Sequence, residues 1–165
     1  MDRSIVLIGP MGAGKTTLGK KLSKEFDLPC VDTDRLISSK HGSIESIFKK
    51  HGEAHFRELE TGALTEALRI PGIVATGGGA PMRPENQALL REHFVVFLDT
   101  AQEFVIGKIN LDKRPLIRDN PDRWTEIYEE RKDTYANLAS ATVFTGGKPI
   151  RALMSELEEV VQSVL

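Results

Sequence analysis

One cysteine is too few for an internal disulfide, so Cys30 excludes a cross-linked secreted scaffold and suits a reducing compartment. It reads as a small buried residue of a second strand. A basic excess is missing too. Lys and Arg number 22 against 24 Asp and Glu, and the net charge of −2 offers no broad cationic face to nucleic acid. No apolar run approaches the roughly 20 residues of a membrane helix. Ile5 already belongs to a core strand, leaving no room for a signal peptide, so a cytoplasmic location is expected. Repeats, low-complexity tracts and linkers are also lacking. What remains is ordinary: 165 residues, 40% hydrophobic and 28% charged, the profile of a single domain, expected to be monomeric.

Five apolar runs suit buried strands: Ser4–Ile8, Pro29–Val31, Ile73–Thr76, Phe94–Leu98 and Ala141–Phe144. Helical spacing separates them. Leu18, Leu22 and Phe26 recur every four residues, and Phe56, Leu59, Ala63 and Ala67 share a face. A last helix is expected to open at Pro149 and to bury Ile150, Leu153, Leu157 and Val164. Alternating strands and helices predict an α/β fold, a parallel sheet covered on both sides, with ligands beyond the carboxyl ends of the strands.

The unusual residues fall at those ends. Gly9-Pro-Met-Gly-Ala-Gly-Lys-Thr16 satisfies G-x-x-x-x-G-K-[ST] directly after Ile5-Val6-Leu7-Ile8, the setting of a phosphate-binding loop. Its glycines let successive backbone N–H groups turn toward an anion. Lys15 adds charge for the terminal phosphates, and the Thr16 hydroxyl can ligate Mg²⁺ at the positive end of the following helix. Gly12, Ala13, Gly14, Lys15, Thr16 and Thr17 are the expected nucleotide-binding residues. After the second strand, Asp32-Thr33-Asp34 places two carboxylates on one side if the chain is still extended. They can serve Mg²⁺ and an acceptor hydroxyl, or simply cap a helix starting near Arg35. After the third strand, Gly77-Gly78-Gly79 reads as bare backbone facing a substrate, or as a flexible turn.

Arg57, with Glu60 placed to orient it, and Arg131, between Tyr128 and Tyr135, are suited to grip a planar carboxylate; either alone could be a solvated surface residue. Residues 107–123 carry Lys108, Lys113, Arg114, Arg118 and Arg123 around two prolines, a polar loop able to close over a phosphoryl-transfer site. Two patterns mislead. His51-Gly52-Glu53-Ala54-His55 imitates a zinc-peptidase helix, but its glutamate is one position late and Gly52 weakens the helix. Asn110-Leu111-Asp112-Lys113 is a scrambled guanine-specificity motif without a D-x-x-G partner.

Together these motifs resemble the shikimate kinases over nearly the whole chain. They are 9–16, Asp32-Thr33-Asp34, Ile47-Phe48 through Glu53 to Phe56-Arg57-Glu58-Leu59-Glu60, Thr76-Gly77-Gly78-Gly79, Arg114-Pro115-Leu116-Ile117, and Tyr128 through Arg131 to Tyr135. The resemblance implies a three-layer α/β/α sandwich of P-loop kinase type with a five-stranded parallel sheet. A substrate-binding helical region falls at about 33–61 and a mobile lid at about 107–123. It implies transfer of the γ-phosphate of ATP to the 3-hydroxyl of shikimate, with Mg²⁺ at Thr16 and Asp32. Asp34 would hold the shikimate hydroxyls and act as base, and Arg57 and Arg131 would grip its carboxylate. Gly78 and Gly79 would contact the ring, Phe48 and Phe56 would wall the pocket, and Lys15 and Arg114 would meet the transferring phosphate. The family's adenine-stacking arginine is replaced by Gly107, with Lys108 beside it, and Pro149 ends the short loop on the adenine side. Within the same fold a gluconate kinase is the runner-up; outside enzymes, a nucleotide-dependent binding module.

Overall fold

The computed structural model describes residues 1–105, 120 and 122–165. Its elements run β1 (Ile5–Ile8), α1 (Lys15–Phe26), β2 (Cys30–Asp32), α2 (Thr33–His41), α3 (Ile44–Ala67) and β3 (Ile73–Ala75). A 3₁₀ turn (Ala80–Met82), α4 (Pro84–Leu90), β4 (Phe94–Asp99), α5 (Gln102–Val105), α6 (Arg123–Leu138), β5 (Ala141–Phe144) and α7 (Ile150–Gln162) follow. The expected lid lies outside the described residues, apart from Asn120, Asp122 and Arg123.

All five strands are parallel, in the order β2-β3-β1-β4-β5. All four residues of β1 have no exposed surface. Because alternate side chains leave opposite faces, Ile5 and Leu7 enter one core with Leu18, Leu22, Leu153 and Leu157. Val6 and Ile8 enter the other, with Leu64, Leu90, Phe97 and Tyr135. Thus α1 and α7 cover one face, and α3, α4 and α6 the other. Each fully buried Leu or Ile contributes about 1.5–3 kcal/mol. Among the described residues, no helix is long and apolar enough to cross a membrane.

Several boundaries differ from the sequence reading. Val164 lies beyond α7 and Ile150 is 45% exposed, so Val161 completes the buried face with Leu153 and Leu157. Pro149 is the residue before α7, in extended conformation, rather than its first helical residue. Cys30 is half-buried, not buried, since β2 is an edge strand. The extended Asp32–Asp34 pair does not form either. Asp32 ends β2 and its Oδ1 accepts the Arg35 N–H at 3.1 Å, which turns the chain into α2 at Thr33. Gly52 (φ 82°, ψ 174°) breaks α3 between His51 and His55, so one regular helix does not carry both rings.

The chain leaves β1 toward one edge of the sheet and leaves β3 toward the other. Between these neighbours a crevice opens at the carboxyl ends, the usual ligand position in such sheets. The loop after β1 and the glycine run after β3 form its walls.

Candidate active site

Gly12 and Gly14 take positive φ (80° and 100°), and Gly14 caps α1 without any side-chain hydrogen bond. The first-turn N–H groups of α1 are therefore available to an anion. The Lys15 ammonium curls over its own loop, donating to the carbonyls of Gly9 (2.6 Å) and Pro10 (2.8 Å). The Thr16 hydroxyl donates to Asp32 Oδ2, so the two expected metal positions meet. That carboxylate thus both caps α2 and faces the phosphate loop; the two readings of Asp32 are compatible.

The loop is also held from outside. Trp124 Nε1–H donates to the Met11 carbonyl at 2.9 Å, and its ring stacks on Tyr128, whose hydroxyl donates to Asp99 at 2.7 Å. Burial, with the Asp99 carboxylate beside it, pushes the Tyr128 phenol well above its ordinary range, so it stays a donor. The Thr145 hydroxyl, at the end of β5, donates to the Ala13 carbonyl at 2.7 Å. Sequence reasoning missed Trp124 and Thr145. Trp124, Tyr128 and Arg131 form an i, i+4, i+7 stripe with Tyr135, and that stripe was the available signal for Trp124.

A hollow of about 260 Å³ brings Gly12, Gly14, Lys15, Thr16, Thr17, Asp32, Asp34, Gly77 and Gly78 together, with Met11, Thr76 and Phe104 completing its wall. A broader one of about 640 Å³ shares Thr16, Asp32 and Asp34 and runs on past Arg35, Ser38 and Ser43.

The three glycines are crowded by charge. A Cβ on Gly77 would stand 2.7 Å from Asp34 Oδ1 and 2.8 Å from Glu60 Oε2. One on Gly78 would meet the Arg131 guanidinium at 3.4 Å, and one on Gly79 would meet that of Arg57 at 2.4–2.6 Å. Absence of side chains lets two carboxylates and two guanidiniums reach one stretch of backbone. Their positions are fixed from behind. Arg57 pairs with Glu60 at 2.9 Å and Glu53 at 3.1 Å, and its guanidinium lies over the Phe56 ring. Glu60 is 1% exposed; burial pushes its carboxyl up, Arg57 opposes this, and nearby Asp34 adds to it. The Tyr135 hydroxyl, pushed up to about 12 chiefly by burial, donates to the Gly78 carbonyl at 2.6 Å. Thr33, fully buried and given no role of its own in the sequence reading, accepts the Gly77 N–H through its hydroxyl at 3.3 Å.

Phe56 sits in the α2–α3 core with Ile37, Ile47 and Ala63, and Phe48 packs edge-on against it at 5.1 Å between ring centroids. Lys108 and Arg114 lie outside the described residues.

One half of the crevice is thus built to hold a polyphosphate. The other offers carboxylates for hydroxyls and guanidiniums for an acid. A parallel α/β sheet with that pairing defines a small P-loop kinase. The model of the shikimate kinase family matches residues 11–162. A shikimate kinase of Pseudomonas entomophila is 39% identical over 98% of this chain and 98% of its own length. One of Thioalkalivibrio sulfidiphilus is 42% identical over 93% and 84%. The solved shikimate kinase from Acinetobacter baumannii in complex with shikimate superposes with a TM-score of 0.92 at 34% identity, covering 98% of this chain and 93% of that one. This chain belongs to the shikimate kinase family.

Proposed function

We propose that this chain transfers the γ-phosphoryl group of ATP to the 3-hydroxyl of shikimate, giving shikimate 3-phosphate and ADP, as a cytoplasmic monomer in aromatic amino-acid biosynthesis. The observation that carries the reading is the packing of Asp34, Arg57 and Arg131 against Gly77, Gly78 and Gly79 beside the phosphate loop. Such a pocket offers a small polyol acid what it needs: acceptors for hydroxyls and two cations for the carboxylate. Residues about 33–61 form the acceptor region, with Phe48 and Phe56 as its apolar support.

Thr16 and Asp32 present adjacent hard oxygens, a donor set that fits Mg²⁺. Held there, the ion would supply positive charge to the phosphates. The chain's own residues do the rest. The N–H groups of Gly12 through Thr17 orient the phosphates, and Lys15 leaves its loop carbonyls to neutralise the transferring group. Asp34 accepts the hydroxyl proton as the oxygen attacks phosphorus and the bond to the ADP oxygen breaks. Arg114 is assigned to the transferring phosphate and Lys108 and Pro149 to the nucleoside.

The test is ADP release with ATP and Mg²⁺. Shikimate should support it and gluconate should not; no turnover with shikimate would end the proposal. Arg57→Ala should raise the shikimate KM about 10- to 100-fold with kcat little changed, since it removes a ground-state contact to a charged group.

Gly79→Ala gives a finer check. The new methyl would displace the Arg57 guanidinium, a flexible group, so folding survives while shikimate KM rises about tenfold. Gly78→Ala meets Arg131 only at ordinary contact distance and should raise KM much less. Equal effects of the two substitutions would refute the assigned role of the Gly79–Arg57 approach.

A further inference from the structure

The phosphate loop accounts for one wall of the hollow and the Asp34–Gly78 side for the acceptor. Among the described residues, a nucleoside joined to the phosphates has the remaining wall to rest on. There stands Phe104, the one aromatic among the described residues lining that hollow. Its ring rests on bare backbone beyond β5. A Cβ on Gly146 would fall 2.4 Å from the Phe104 Cδ2 atom, and one on Gly147 would fall 3.0 Å from Cε1. Phe144 meets the ring edge-on at 6.0 Å between centroids and is itself 40% exposed.

Hydrogen bonds on both sides hold the backbone around this ring and tie the loop after β5 to the phosphate loop. Thr145, the residue before Gly146, bonds the Ala13 carbonyl and also the Asp99 carbonyl at 3.1 Å. The Phe104 N–H donates to the Ala101 carbonyl at 3.0 Å, closing the short helix that carries it. A half-buried aromatic ring, oriented by two glycines and tied to the anion site, has the properties of a stacking surface. Its ordering cost is met before a ligand arrives.

We propose that Phe104 is the nucleobase platform of this chain: the base stacks on its ring while the Gly146–Gly147 backbone borders the base edge. The proposal rests on the reading that nucleotide phosphates occupy residues 12–17. It adds an aromatic face to Lys108 and Pro149, the nucleoside contacts expected from the sequence. Every base has a π face, so the platform supplies affinity for a nucleotide over a bare polyphosphate and discriminates little between purines.

Isothermal titration of the wild type, Phe104→Leu, Phe104→Met and Phe104→Trp with ADP and with inorganic tripolyphosphate tests this. Removing the aromatic face should raise the ADP Kd about 5- to 100-fold in the Leu and Met variants. Phe104→Trp should stay within about threefold of wild type, and tripolyphosphate should bind all four proteins alike. Unchanged tripolyphosphate binding also certifies a folded loop in each variant. An ADP Kd within about twofold of wild type in the Leu variant would overturn the platform, as would equal weakening toward ADP and tripolyphosphate. Failure of the wild type to bind ADP would instead remove the nucleotide reading, and the platform with it.

Discussion

Asp34→Asn is expected to lower kcat by about 10²- to 10⁴-fold, the range of a lost general base, while shikimate KM changes by less than about tenfold. The carboxylate lies in the first turn of α2, so its backbone is set by the Asp32 cap rather than by a loop. Its Oδ1 sits 2.7 Å from where a Gly77 Cβ would be, with the Glu60 carboxylate at the same point. Asparagine keeps the shape and can still bond a hydroxyl, but it cannot take the proton. Steady-state kinetics with both substrates varied separates the possibilities. A kcat near wild type would remove the proton-accepting role. A loss confined to KM would make Asp34 a binding group only.

Among the described glycines, Gly9→Ala should be the most damaging single methyl, costing about 4 kcal/mol or more. Two effects coincide there. Gly9 has φ +142°, a conformation other residues adopt only at a cost of about 1–3 kcal/mol. The added carbon would also lie 2.1 Å from the Leu98 carbonyl oxygen. That oxygen belongs to β4, held in register against β1, and cannot yield as a side chain would. Gly42 is the control: its φ is +88°, but a Cβ meets nothing within 4 Å, so alanine there should cost only the backbone term. Urea denaturation of the two variants measures the difference. Equal losses would mean that the β4 carbonyl gives way. For a domain stable by about 5–15 kcal/mol, the expected loss at Gly9 leaves little reserve.

The strands were legible because a parallel sheet covered on both faces needs unbroken apolar runs, and Ile5-Val6-Leu7-Ile8 is one. Their ends were less so. Asp32 closes β2 as a paired residue and opens α2 as a cap, and a polar residue in both roles hides the boundary. The phosphate loop and the glycine run were readable from local chemistry. Arg57 and Arg131 stood out by residue type and neighbours, but nothing local separated them from solvated surface arginines, because what distinguishes them is long-range: their approach to Gly79 and Gly78 across the crevice. Phe104 had no pattern at all. One aromatic after a strand carries no periodicity, and its contacts with Gly146 and Gly147 come from some forty residues away. The contacts of Thr33 and Thr145 were hidden for the same reason, each being a hydroxyl whose partner backbone, at Gly77 or Ala13, lies far along the chain.

The sheet order also has a consequence for synthesis. Among the described strands β1 is made before the other four and is the most deeply buried, yet its two neighbours begin at Ile73 and Phe94. At roughly 5–20 residues per second, the nascent chain carries Ile5-Val6-Leu7-Ile8 unpaired for several seconds before either partner leaves the ribosome. Four consecutive apolar residues with open backbone groups are a sticky segment for that whole interval. Burial so complete in the finished molecule makes a stretch translated long before its partners the one most in need of shelter.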